Sequence, residues 1–168
     1  MQAEAINPRL VKFIWAAAIF FAWTCIQGVI QEQEAVREFI HLVPTGGMIS
    51  GAHSHIGCMG WTALALAAAI YYLAPIFSGK SIVWPKLIEW VFWIWVVGSA
   101  VGNAMLITAG IIGGNAFVAG ITDVATLMAM VTPYLILMGI CAYLEGVAGL
   151  MFVVHILVSL TRGARATG

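Results

Sequence analysis

Four long runs of this chain, Leu10 to Ile30, Met48 to Ile76, Ile88 to Ile112 and Pro133 to Leu160, carry almost no charge, and they constrain the fold more than any motif does. Each is long enough to cross hydrocarbon roughly 30 Å thick, which takes about 20 apolar residues in a helix. Lys12 and Glu89 stand at span edges, and Glu145 is the acid set inside the last run. Lipid offers an open backbone no hydrogen bonds, so only helices and closed barrels span it, and barrel strands would read as short alternating segments. The runs are continuous. We therefore expect an all-α, polytopic membrane protein, a four-transmembrane-helix bundle forming a single membrane domain over residues 1–168. Composition agrees, with 62% hydrophobic and 8% charged residues.

The first run is as long as a full crossing, is flanked by Glu4 and Asn7, and is followed by no small-residue cleavage pattern. It is expected to remain in the mature chain rather than act as a signal peptide. Orientation follows from the basic residues, because cytoplasmic flanks retain Lys and Arg. Arg9, Lys12, Lys80, Lys86, Arg162 and Arg165 fall on one side and only Arg37 on the other. That places both termini in the cytoplasm, in a membrane of the bacterial inner type, and the loops 31–47 and 113–132 outside. The first outer loop, with Glu32, Glu34, Arg37 and Glu38, suits a short solvated interfacial helix. The second has turn chemistry at Gly113, Gly114, Asn115 and Asp123, with Pro133 suited to the first turn of the last helix. Net charge of zero without a basic patch excludes nucleic acid as a partner. Cys25, Cys58 and Cys141 all fall inside spans and read as small packing residues. Glu145 and Asn103 would serve a channel or transporter, but no repeated half or broken-helix pair accompanies them.

Histidine in a membrane span is costly, so the dyad His53-Ser54-His55 at the head of the second run is a functional candidate. Residues two apart on a helix point about 200° from one another. The two imidazoles thus address opposite faces of one helix and cannot share a metal from one side. His41 lies in the outer loop and His155 near the inner boundary, within reach of water. His155 is separated from His55 by roughly 15 Å or more of depth. A zinc or copper site would want three or four converging ligands. Heme needs one imidazole and an apolar, aromatic pocket, for which the chain has seven Trp, eight Phe and eight Met. The blander alternative is that both rings donate to carbonyls or hydroxyls at helix contacts.

The stretch His41-Leu-Val-Pro-Thr-Gly-Gly-Met-Ile-Ser-Gly-Ala-His53-Ser-His55-Ile-Gly-Cys-Met-Gly-Trp61, followed by Ala69-Ile-Tyr-Tyr-Leu-Ala-Pro75, resembles the tenth helix of heme-copper oxidase subunit I. It is most similar to the C-type oxidase and nitric oxide reductase branch. The first span, with Gln27-Gly-Val-Ile-Gln, resembles the ninth helix, the third span the eleventh, and Pro133-Tyr134 through His155-Ile156 and Thr161-Arg162 the twelfth. This resemblance implies His53 as the high-spin heme ligand and His55 as the low-spin ligand. It also implies no copper, since the family's copper ligands and its other low-spin ligand lie on helices with no counterpart here.

The expected function is a heme b-binding membrane protein, with one or two hemes per chain, carrying electrons within a larger respiratory-type complex. The candidate ligands are His55 and His53, with His41 and His155 as further cofactor-binding candidates. Met48, Met59, Met105, Met128 and Met130 are open as sixth ligands. Expected partners are a homo-oligomer or other membrane subunits, a periplasmic c-type cytochrome and the lipid bilayer. A five-coordinate heme that binds or reduces a small gas is the first alternative, and a non-catalytic scaffold or assembly subunit the second. A complete oxidase or reductase is not expected from this chain alone.

Overall fold

The computed structural model describes residues 8–165, which form helices joined by short connections. Glu4 and Asn7 lie outside the described residues. Helix α1 (Pro8–Gln31) is followed by the short α2 (Glu34–Leu42). The second crossing is built from α3 (Gly46–His55), a π-helical segment (Ile56–Thr62) and α4 (Ala63–Ser78). Two long helices, α5 (Leu87–Val118) and α6 (Val124–Arg162), complete the chain. Four of these units are long and apolar enough to cross a membrane: residues 8–31, 46–78, 87–118 and 124–162.

The crossings pack as an open arc rather than a closed ring. Helix α1 lies along α3, the π-helical segment and α4; α5 packs against α3 on one side and along α6 on the other. Since lipid is as apolar as leucine, such contacts depend on close packing and polar cross-links more than on burial. Toward the end that carries Lys12 and Glu89, Phe13, Tyr71, Phe92, Trp95, Leu64 and Val91 form the core. Tyr71 stacks edge-on against Phe13 and Phe152. The edge charges Lys12 and Glu89 pair with one another, and Arg9 Nε reaches Glu89 Oε1 at 3.6 Å.

Helix α2 is the short interfacial helix expected of the first outer loop, with Phe39 and Val43 packed on α5. The second outer loop is much shorter than its composition suggests. Helix α5 continues through Gly113 and Gly114, and only 119–123 connect it to α6. Those glycines serve close approach rather than a turn: a Cβ at Gly113 would lie 2.5 Å from Thr45 Cγ2, and one at Gly114 2.3 Å from Phe39 Cζ. Pro133 likewise lies inside α6 rather than in its first turn. The helix starts at the N-cap Asp123, whose side chain accepts from the Thr126 backbone N–H at 2.9 Å. Pro133 has no N–H to offer Ala129 O, and one residue earlier Thr132 Oγ1 bonds back to Met128 O at 2.7 Å.

Candidate heme site

The dyad sits where the second crossing changes from α to π geometry, a departure found mostly as single turns at functional sites. Carbonyls around the change are held by side chains, two from α5 and one from the segment itself. Asn103 Nδ2 donates to Ala52 O at 2.6 Å, Trp95 Nε1 to Met59 O at 3.1 Å and Thr62 Oγ1 to Gly57 O at 3.0 Å. Asn103 Oδ1 in turn accepts from Trp23 Nε1 at 2.9 Å and Gln27 Nε2 at 3.1 Å. One buried amide therefore ties α1, α3 and α5 together beside the dyad.

The two imidazoles do point to different neighbours. His53 faces α1: a Cβ at Gly28 would meet His53 Cε1 at 3.2 Å. His55 faces α5 and α6, because a Cβ at Gly102 would lie 3.4 Å from both His55 Nε2 and Cys141 Cβ. This is the opposition that the i, i+2 spacing demands. It lies level with the middles of its neighbours, Gly102 being midway along α5 and Glu145 just past the middle of α6. Helix α5 runs beyond 112 and α6 begins before 133.

His55 Nε2 stands 3.3 Å from Glu145 Oε1, within ion-pair reach but not aligned as a hydrogen bond. Glu145 is 2% exposed and accepts from Ser99 Oγ at 2.5 Å. The costly acid of the last span thus has two partners, neither of which sequence spacing could connect to it. Among the described residues, His53 Nδ1 and His55 Nε2 are both buried with no hydrogen-bond partner, as is Gln27 Oε1. Such orphaned polar atoms are uncommon in a native interior. They suit an imidazole that binds a metal through a free ring nitrogen, so the donor set fits an axially ligated heme.

The other two histidines are set apart from the dyad. His155, expected near water, is 1% exposed. Its Nε2–H donates to Val83 O at 2.5 Å and its Nδ1 accepts from Tyr71 Oη at 3.1 Å, which leaves neither nitrogen for iron. The 79–86 loop folds back over the end of α6, where Lys80 Nζ also donates to Leu160 O and Thr161 O at 2.9 Å, and that covers the ring. His41 lies exposed on α2. Three clefts of about 500, 750 and 520 Å³ open on the sides of the arc, and neither dyad histidine lines them. The first, between α1 and α5, is bordered by Ile56, Trp23 and Asn103.

A family profile described as cytochrome c and quinol oxidase polypeptide I matches residues 3–144. The chain is 30% identical over 103 residues to a cytochrome c oxidase subunit 1 homolog of Agrobacterium tumefaciens (strain T37), covering 61% of this chain and 18% of the relative. It is 26% identical over 106 residues to a cytochrome c oxidase subunit 1 homolog of Azorhizobium caulinodans, covering 62% and 18%. Against a cytochrome c oxidase subunit 1 of Rhodobacter capsulatus it is 24% identical over 106 residues, covering 62% and 19%. The matched part is the C-terminal part of these relatives, so the alignment spans less than a fifth of their length.

Proposed function

The chain belongs to the cytochrome c and quinol oxidase polypeptide I family, and from that premise we propose that it is a heme b-binding membrane protein that passes electrons within a larger respiratory-type complex. One observation carries the reading: two buried ring nitrogens without hydrogen-bond partners, on opposite faces of one helix. Imidazole that is neither solvated nor hydrogen-bonded is costly at membrane depth. A metal bond removes that cost. When bound, heme supplies one-electron redox chemistry, with a potential tuned by axial ligand, burial and nearby hydrogen bonds.

This chain's own residues do the positioning. Asn103 and Trp95 hold the carbonyls of the helix that presents the dyad, and Ser99 and Glu145 occupy the side His55 faces. The open arc leaves apolar faces that suit a homo-oligomer or further membrane subunits, with a periplasmic c-type cytochrome as electron partner. We place the protein in a bacterial inner membrane with both termini cytoplasmic, on the bias of its basic residues.

The test is an optical spectrum of detergent-purified protein expressed with ample heme, oxidised, dithionite-reduced and reduced with carbon monoxide. A sharp reduced α band insensitive to carbon monoxide is expected for electron transfer by six-coordinate heme. A carbon monoxide-induced shift would replace it with the gas-binding alternative. Absence of a Soret band would overturn the heme reading and leave the scaffold.

A further inference from the structure

Gln27 is 4% exposed, yet only one end of its side-chain amide is bonded. The Asn103 network decides which end that is. Asn103 Nδ2 donates to Ala52 O at 2.6 Å, so Oδ1 is the atom turned to α1, where it accepts from Trp23 Nε1 at 2.9 Å. An indole N–H can only donate, which fixes this assignment. The Gln27 atom 3.1 Å from Asn103 Oδ1 must then be a donor too, Nε2. Turning the Gln27 amide over would set two acceptors against each other. Gln27 Oε1 is thereby left over, buried and without a hydrogen-bond partner. Burying a carbonyl oxygen in this way is costly unless something donates to it.

The orphaned oxygen belongs to the wall of the cleft of about 520 Å³ beside α2. Trp23, Gln27 and Gln31, at i, i+4 and i+8, form its α1 wall, and Ile107, Ile111 and Asn115, at the same spacing, its α5 wall. Asn103 does not line this cleft, so the two ends of the Gln27 amide are divided: Nε2 is taken up by Asn103, and Oε1 is left to the cleft. No charged side chain lines it, which favours a neutral occupant, and Trp23 and Phe39 give it aromatic walls. Its volume lies within the range of small-molecule pockets. Water suits it poorly. A buried water takes about three partners, and Gln27 Oε1 is the one buried, unpartnered side-chain atom that the described lining offers.

We propose that this cleft binds a neutral, lipid-soluble phenol, an apolar body whose hydroxyl donates to Gln27 Oε1. A phenol meets each requirement of the site: it carries no charge, it has one strong O–H donor for one acceptor, and its ring packs on the aromatic and branched walls. The site is separate from the dyad, since neither His53 nor His55 lines the cleft, and it needs no heme. Occupancy would close the one gap in the amide network that ties α1, α3 and α5 together.

The experiment titrates the full chain in lipid nanodiscs with a fluorinated naphthol and, separately, with its methyl ether, which has the same ring but no donor. Fluorine NMR reads the bound fraction, with protein-free nanodiscs as the partition reference. Wild type is expected to bind the naphthol about tenfold more tightly than the ether, the worth of one hydrogen bond to a buried acceptor. Gln27→Met, similar in size, is expected to remove that preference while still binding the ether. Ile111→Trp, which fills the cleft and leaves the amide network intact, is expected to weaken both probes. Because Gln27→Met also gives up the bond to Asn103, circular dichroism checks its helicity, and should it fail to fold, the wild-type comparison and Ile111→Trp still decide. No binding beyond the protein-free reference, or equal affinity for naphthol and ether in wild type, overturns the proposal. So does a preference that survives in Gln27→Met, since the hydroxyl then meets another acceptor, and so does undiminished binding in Ile111→Trp, which puts the probe outside the cleft.

Discussion

Asn103 makes three side-chain hydrogen bonds to two other helices, from a position 3% exposed. Each such bond is worth about 0.5–1.5 kcal/mol net, and removing one partner strands the other. Asn103→Leu, similar in size, is therefore expected to destabilise the protein by about 2 to 4 kcal/mol. Thermal or denaturant unfolding in detergent would check this, and an effect no larger than that of Asn103→Asp would show that Trp23 and Gln27 find other acceptors. Asp123 offers a second prediction, with a pH sign. Hydrogen bonds from the Thr126 hydroxyl, and then from its backbone N–H, hold the carboxyl below the usual carboxylate range. A depressed folded-state pKa means the cap's contribution is present above the unfolded value of about 3.9 and is lost as pH falls through the lowered folded value. Amide exchange at Thr126 should be protected from neutral pH down to that range and accelerate below it, and in Asp123→Ala it should be fast throughout. The opposed dyad was legible at this scale, because spacing alone fixes the angle. The partner of Glu145 was not, because Ser99 and His55 come from other helices, and a lone Ser in an apolar run gives no sign of what it touches.

The spans could be read as elements because long uncharged runs admit one solution in lipid. Their ends could not, because Gly113, Gly114 and Pro133 have two meanings. In sequence they read as punctuation; in the fold the glycines admit Thr45 and Phe39, and the proline is carried inside a helix whose cap lies earlier. The π-helical segment had no sequence signature beyond Gly57 and Gly60, since it depends on donors from distant positions. Trp95 is the most telling of these, as its indole N–H reaches Met59 O while its ring lies in the apolar core. Trp95→Phe keeps most of the ring packing and removes the donor, and is expected to cost about 1 kcal/mol. Hydrogen exchange should localise the loosening to residues 56–62. If exchange there is unchanged while the apolar core loosens, the indole matters for packing and the π turn is maintained without it. At the end that carries α2, Gly114→Ala sets a methyl against the Phe39 ring, and a forced shift of this kind typically costs about 1–3 kcal/mol. Limited proteolysis should then cut nearer α2 than in wild type.

The chain as a whole has two ends of different charge, and the fold sharpens what the sequence suggested. Arg9 and Lys12 open α1, Lys80 and Lys86 lie in the 79–86 connection, and Arg162 and Arg165 close the chain, with Lys80 and Arg165 bridged backbone to backbone. Arg37 rides on α2 at the far end. Lys and Arg within short loops determine which end stays in the cytoplasm, whereas acids contribute little. The pairing of Glu89 with Arg9 and Lys12 should therefore not weaken the bias. Single cysteines at positions 37 and 86, in a chain whose Cys25, Cys58 and Cys141 are replaced by Ala, would report the orientation. With a membrane-impermeant maleimide on spheroplasts, position 37 should react at once and position 86 only after permeabilisation. The reverse pattern would turn the molecule over, and with it the side from which an electron partner must approach the dyad. Labelling at both positions before permeabilisation would mean mixed insertion, which six basic residues against one should prevent. The dyad lies level with the middle of α5 and α6, so neither aqueous face reaches it directly. On the proposed electron-transfer reading, a donor on the α2 side would face the half of the bundle that includes Trp23 and Gln27, and the orientation measurement decides which aqueous side that is.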